Sequence, residues 1–453
     1  MKKFYLSTLL MACTLSLSAE EVITDTTQMT FNMMGQMPFY RVNYTYESVA
    51  PDGVTPVTLS SALIFPQRIF ERTAMVEIGG KEYNASGLVL NNHHTITKRD
   101  QAPTVTDNLQ FEAPIAALGP DVIIVSPDSY GFGVTDDKPQ AYLIANATAI
   151  NHIDAVGAAR RLLKKMDYSV GDLFAQFGYS QGGYSTMAVQ RYFDTHEVDP
   201  EVLSHIDYTL CGAGPYDLVS IMDSLLIPDA TYYYPCAIGL IIEGQIEGGG
   251  LDFSYSDFFP EPLDTKIPEW NDSKMITTDA INDSIYAYTE SNPSDGILVS
   301  KLMRTDIVNH TNPAMDSYFQ ALYDNSVCYD WKPNPDTRFY LYHSADDNVV
   351  PYFNMEHMRD FLRNECGVGD DKLEIYTSEG SHIDAAMLFA MNVISKITTL
   401  QADYIANTPV AIPTISNVIP LSDDWFTLDG RRLSGKPTAK GLYIHNGVKV
   451  LIK

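Results

Sequence analysis

The chain has 453 residues, 45% of them hydrophobic, enough for one large domain or two with a sizeable core. Its 30 basic against 57 acidic side chains give a formal charge of −27. That balance excludes a nucleic-acid binder, whose footprint is basic, and argues against an anionic membrane surface as the main partner; otherwise it bears on solubility and not on chemistry.

Residues 1–19, "MKKFYLSTLLMACTLSLSA", read as an export signal. Lys2 and Lys3 form the positive end, an apolar stretch follows, and Ser16, Ser18 and Ala19 offer a cleavage site. "LMAC" at 10–13 approximates a lipoprotein box ending in Cys13, so lipidation there is an open alternative. A secreted or cell-surface protein is expected. Strand-like runs then recur at 41–48, 57–66, 86–92, 121–126, 173–177, 205–210, 337–343 and 372–377. The first two alternate and predict an antiparallel start. Several later ones are near-continuous apolar runs, as parallel strands buried on both faces require. Helical spacing lies between them, most clearly over 147–166 through Ile150, Ile153, Val156, Leu162 and Leu163. The alternation predicts an α/β domain with an eight-stranded, mostly parallel sheet and helices on both faces.

Between the run at 173–177 and a helix predicted over Tyr184 to Phe193 stands Gly178-Tyr179-Ser180-Gln181-Gly182. A serine on a turn this sharp is strained, and glycine two positions away on either side removes the Cβ clash. The pattern predicts a nucleophile elbow with Ser180 as nucleophile. Residues 212–336 break the rhythm, with a loop-like stretch over 244–270 and helix-like pieces around 296–304 and 314–325; too long for one crossover, they are expected to form a lid inserted between core segments 20–211 and 337–408. The insertion carries Leu225, Leu226, Tyr232, Tyr233, Tyr234, Phe253, Phe258 and Phe259, and its Gly248 to Gly250 run offers a hinge.

A serine hydroxyl needs a base, and the base an orienting acid. The chain order Ser, acid, His leaves His357, His382 and His445. His357 sits in an amphipathic helical pattern and His445 in the tail. His382 directly follows the last core strand in "KLEIYTSEGSHIDAA" and is the expected base. The acid should end the preceding strand, where "YHSADDNVVP" offers Asp346 and Asp347; the spacing to Pro351 selects Asp347, with Ser344 where a glycine is usual. The oxyanion donors are expected from the N–H of Gln181 and from His94 or Thr95, on the loop "NNHHTITKRDQAP". Adjacent His93 and His94 point apart and do not suggest a metal site. Cys211, Cys236, Cys328 and Cys366 show no zinc spacing; paired disulfides and free thiols both remain open. From 409 onward a proline-spaced linker leads to a basic tail, with Arg431, Arg432, Lys436, Lys440, Lys449 and Lys453 against Asp429 alone, and with Asp-Gly and Asn-Gly turns between short strands.

"NNHHTITKRDQAPT", "VIIVSPDSYGFG", "FGYSQGG", "YHSADDNVVP" and "EGSHIDA" stand in the order found in the α/β-hydrolase superfamily, which the chain resembles over roughly 86–390. Tyr130-Gly131-Phe132-Gly133 and the long insertion after the sixth strand resemble most the secretory lipase group, relatives of fungal lipase A. The resemblance implies hydrolysis of small-molecule or lipid carboxylic esters without a cofactor. Residues 425–453 are similar to sorting tails of the Bacteroidetes type nine secretion system, which implies that export machinery is a partner. The residues leave open a peptidase, an acyl esterase of polysaccharides (acetyl or feruloyl) and a non-catalytic binding protein, and they do not give the oligomeric state.

Overall fold

The computed structural model describes residues 21–33, 35–227, 229–409, 424–445 and 448–453. The expected export signal with Cys13, most of the proline-spaced linker and the Asn446-Gly447 turn lie outside them. The chain divides into two compact units, one up to Thr408 and one from Pro409.

The first unit is built on a sheet of nine strands: β1 (Val22–Asn32), β2 (Gln36–Val49), β3 (Pro56–Pro66), β4 (Ala85–Asn92), β5 (Val122–Pro127), β6 (Val170–Tyr179), β7 (Tyr208–Gly212), β8 (Arg338–Ser344) and β9 (Leu373–Ser378). Their spatial order is β1-β2-β3-β5-β4-β6-β7-β8-β9. From β5 to β9 every neighbour pair is parallel, whereas β1, β2 and β3 join antiparallel. All eight expected strands are present. The ninth, β1, corrects the expected number. Its sequence "VITDTTQMTFN" is mostly polar and exposed, and only Met29 and Phe31 alternate onto the core, too short a period-2 apolar signal to mark a strand. It is an edge strand, interrupted by an irregularity between Ile23 and Asp25, which is one way an unpaired edge is kept from recruiting another chain.

The central strands are buried on both faces. In β4 and β5 every residue is buried. Helices α1 (Glu112–Leu118), α2 (Ala145–Lys165), α3 (Gln181–Thr195) and α4 (His382–Asn407) cover them. Ala155, Val156 and Ala159 of α2 pack with Leu88, Leu90 and Val125 on one face. Ile115 of α1 and Phe389, Val393 and Ile397 of α4 pack with Val89, Ile124 and Phe177 on the other.

Residues 213–337, between β7 and β8, form a mainly helical layer with helices Leu218–Leu225, Cys236–Glu243, Leu263–Ser273, Thr278–Tyr288 and Met315–Asn325. The stretch 244–270, expected as loop, is partly helical, because Leu263–Ser273 accommodates Pro268. Leu226, Phe258 and Phe259 are core residues of this layer. The glycines serve close contact here: a Cβ on Gly244 would lie 2.0 Å from the Tyr142 carbonyl oxygen, and one on Gly248 would lie 2.9 Å from Ile144. Among the described residues the cysteines Cys211, Cys236, Cys328 and Cys366 are free thiols, the first three of them buried. The second unit is a four-stranded antiparallel sheet in the order Arg432–Leu433, Trp425–Thr427, Gly441–His445, Val448–Ile452. Asp429 and Gly430 lie in the turn between its first two strands in chain order.

Candidate active site

Ser180 joins β6 to α3 with φ 59° and ψ −123°, a left-handed conformation that a non-glycine residue adopts only where its surroundings enforce it. Those surroundings are named by the flanking glycines. A Cβ on Gly178 would come within 2.2 Å of the Gly182 carbonyl oxygen, and one on Gly182 within 2.0 Å of the Asn92 carbonyl oxygen. The elbow is thus pressed against the end of β4. That contact sets the first N–H groups of α3, including that of Gln181, beside the loop of His93, His94 and Thr95. The N–H groups of a first helical turn have no partner inside the helix, and the helix dipole is positive there.

His382 is the first residue of α4. Ser381 caps that helix, its hydroxyl bonding to Asp384 while Asp384 N–H donates back. The imidazole Nδ1 lies 2.6 Å from Asp347 Oδ2, and both side chains are almost fully buried. The Tyr179 hydroxyl donates to the His382 carbonyl at 2.6 Å, and His382 N–H donates to Asn348 Oδ1 at 3.3 Å. Asp346 is turned elsewhere: it is exposed and accepts from Gly380 N–H at 3.2 Å. Of the two neighbouring carboxylates, the structure brings Asp347 to the histidine. Ser344, in the glycine's place, bonds through its hydroxyl to the Gly380 carbonyl and accepts from Asp346 N–H, so it ties the acid loop to the histidine loop.

Asp347 has a further partner that the sequence did not announce. His343, fully buried at the end of β8, puts Nε2 3.3 Å from Asp347 Oδ2 and 2.9 Å from the Val350 carbonyl. Both are acceptors, so Nε2 carries the proton. Burial alone would raise the Asp347 pKa, but hydrogen bonds from His343 and His382 outweigh it and hold the carboxyl far below its ordinary value. The other two late histidines are engaged elsewhere. His357 bonds to Asp217 at 2.7 Å, and His445 stacks on Trp425.

Ser180 and His382 line one cavity of about 570 Å³. His94 and Thr95 line it too. His94 is pushed down to about 4 by burial, aided by the charges of His93 and His382, so it is neutral at pH 7. Thr95 Oγ1 pairs with the Tyr142 hydroxyl at 3.0 Å. His93 faces the other way. It bonds to Ser129, which bonds to His152, which bonds to Asn92 Oδ1. Desolvation holds His152 down to about 3. This chain of buried polar groups sits behind the loop and beside Gln181, and no spacing in the sequence announces it. Among the described residues no group of three His, Cys, Asp or Glu is arranged to hold a metal. From the insertion, Tyr232 and Tyr234 reach the cavity while Tyr233 faces outward. The Tyr232 hydroxyl also donates to the Val349 carbonyl, two residues from the acid.

No protein-family model matches the chain, and no curated protein matches it by sequence. Solved structures do match. A Legionella pneumophila protein classed as a hydrolase superposes with a TM-score of 0.67 at 18% identity, covering 85% of this chain and 98% of that one. The rice cell wall degrading esterase LipA from Xanthomonas oryzae gives 0.63 at 20% identity, with the same coverage. Candida antarctica lipase A in its closed state gives 0.55 at 11% identity, covering 85% of this chain and 82% of that one. The strand order and these likenesses together show the α/β-hydrolase fold.

Proposed function

We propose that the protein hydrolyses carboxylic esters through an acyl-enzyme on Ser180. The observation that carries this reading is the buried Asp347–His382 pair at 2.6 Å, with His382 sharing one cavity with a serine on a left-handed turn. An ionised carboxylate only accepts hydrogen bonds, so Nδ1 of His382 carries the proton shared with Asp347 and Nε2 is the basic nitrogen. Nε2 takes the Ser180 hydroxyl proton as Oγ attacks the ester carbonyl, then returns it to the leaving alcohol. Water repeats the sequence on the acyl-enzyme and frees the acid. The oxyanion is received by the Gln181 N–H and a second N–H from His94 or Thr95. A neutral His94 adds no full charge to that pocket. The reaction as written uses no cofactor.

Labelling tests this reading. A fluorophosphonate probe should modify the wild type and not Ser180→Ala; equal labelling of both proteins sinks the assignment. Structural neighbours named as an esterase and a lipase support the ester over the amide. An aminoacyl-anilide panel beside p-nitrophenyl esters checks that choice.

A second reading is favoured by one observation. Gln101, Asn108, Gln110 and Asp279 bring polar groups to the rim of the cavity, and one neighbour is a cell wall degrading esterase. In that reading the alcohol is a plant polysaccharide carrying acetyl or feruloyl groups. Faster turnover of methyl ferulate or acetylated xylan than of alkyl esters would favour it. In either case residues 212–336 act as the lid that sets substrate choice, and the N-terminal signal and basic tail serve export.

A further inference from the structure

The catalytic cavity does not stop at the site. Asn108, Gln110, Met387 and Ala390 line it and also line a second groove of about 520 Å³. The far wall of that groove is β1, through Thr30 and Phe31, and Ala113 of α1 also lines it. The strand beyond the eight the fold was expected to use thus forms a wall next to the chemistry.

One stripe of α4 joins the two spaces. Ile383, Met387 and Met391 follow one another at four-residue intervals and are 70%, 68% and 46% exposed. Residues four apart share a helix face, so these three and the alanines beside them make a continuous apolar track. It begins one residue after His382 and runs for eight residues, about 12 Å at the helical rise. Large side chains left bare in a row on a soluble fold mark a contact surface. Methionine fits a flexible, variable hydrocarbon better than a rigid partner, because its unbranched thioether adapts. Among the groove's lining residues only Asp107 is charged, and it is exposed at the rim. No lysine, arginine or histidine lines the groove to hold a phosphate or a carboxylate.

The geometry points to a distal acyl subsite: we propose that this groove takes the far half of a long unbranched acyl chain whose carbonyl sits at Ser180. The occupant follows from adjacency, since the groove shares Asn108, Gln110, Met387 and Ala390 with the catalytic cavity and lies along the same helical stripe. The proposal rests on the ester reading above and adds a substrate class to it.

The test uses the full chain and p-nitrophenyl butanoate, dodecanoate and palmitate. Two variants change the groove at exposed lining positions: Met391→Asp puts a charge into it and Leu118→Trp fills it. Wild type should prefer the long esters. Each variant should lose at least tenfold in kcat/KM on dodecanoate while staying within twofold on butanoate. Met391→Leu should keep the wild-type profile. A wild type that prefers butanoate, or a variant profile unchanged in shape, overturns the subsite. Fluorophosphonate labelling separates the two readings. Intact labelling with a flat chain-length profile removes the subsite and leaves the ester reading standing, whereas absent labelling of wild type removes both. Phosphatidylcholine vesicle binding is measured in parallel. If Met391→Asp abolishes that binding and leaves the chain-length profile untouched, the stripe is a membrane-docking face and the subsite is overturned.

Discussion

Asp347 takes hydrogen bonds on both oxygens: Val349 and Val350 N–H groups on Oδ1, and His382 and His343 on Oδ2. An acid held this firmly orients its histidine in one tautomer. Asp347→Asn should therefore lower kcat by about 10⁴, the scale seen when a triad acid loses its charge, while Asp346→Asn should cost less than tenfold; steady-state kinetics on both variants decide it, and the reverse ranking would move the role to Asp346. The sign with pH follows from the depressed carboxyl. Its contribution to stability is present above the unfolded value of about 3.9 and is lost as pH falls through the folded one. The Tm deficit of Asp347→Asn should thus be larger at pH 7 than at pH 3. Asp347 was legible because Pro351 closes a turn of known length after the acid. His343 was not, because an inward-facing strand residue reads as core whatever its chemistry. The same limit applied to Tyr232, Tyr233 and Tyr234, whose run was visible but not that Tyr232 and Tyr234 face the cavity.

At the scale of elements, the elbow depends on how closely α3 approaches the end of β4. The atom that a Gly182 Cβ would meet is a backbone oxygen, which cannot swing aside. Gly182→Ala should destabilise the fold by about 1–3 kcal/mol, as overpacking does, and should lower kcat as well, because the same contact sets the Gln181 N–H beside the loop of His94 and Thr95. Urea denaturation together with kcat measures both; an alanine variant of wild-type stability and rate would show that the elbow can slide. The strand–turn–helix frame was legible because buried parallel strands announce themselves as apolar runs. β1 was not, since an exposed edge strand needs no apolar face. The insertion was legible as an interruption with helix-like pieces around 296–304 and 314–325, where Val299–Leu302 and Met315–Asn325 form, but its other helices were not legible. Pro268 and the glycines of 244–250 read locally as breakers, and only packing against Tyr142 and Ile144 reveals why Gly244 and Gly248 are glycine.

Over the whole molecule, one buried carboxyl sets a pH dependence of its own. Glu243 is fully buried, and desolvation, with Asp272 nearby, pushes it up to about 8. A raised carboxyl acts opposite to Asp347. The unfolded chain releases the proton above about 4.3 while the folded one keeps it, so stability falls as pH rises from there to about 8. Glu243→Gln should match wild type near pH 4 and gain on the order of a few °C in Tm by pH 8; a constant difference across that range would mean that the carboxyl ionises within the fold. The division at Thr408 supports a second prediction at this scale. A chain ending at Thr408 should fold and keep its kcat/KM, while export from the native host fails. Loss of activity in the folded, purified truncation would assign the tail to the catalytic unit.

α4 carries the expected base at its first residue, and its other end is tied to the earlier strands β4 and β6. Gln401 bonds to Ser86, and the Tyr404 hydroxyl accepts from Asp172 N–H. The elbow, by contrast, is made more than two hundred residues earlier. During synthesis the nucleophile and its oxyanion loop are therefore complete long before any base can reach them. Contacts that close such long stretches form slowly. On the proposed reading, a nascent chain would hold an unactivated serine until nearly the whole first unit has emerged and its last helix has docked, so hydrolysis would wait for that unit to be complete.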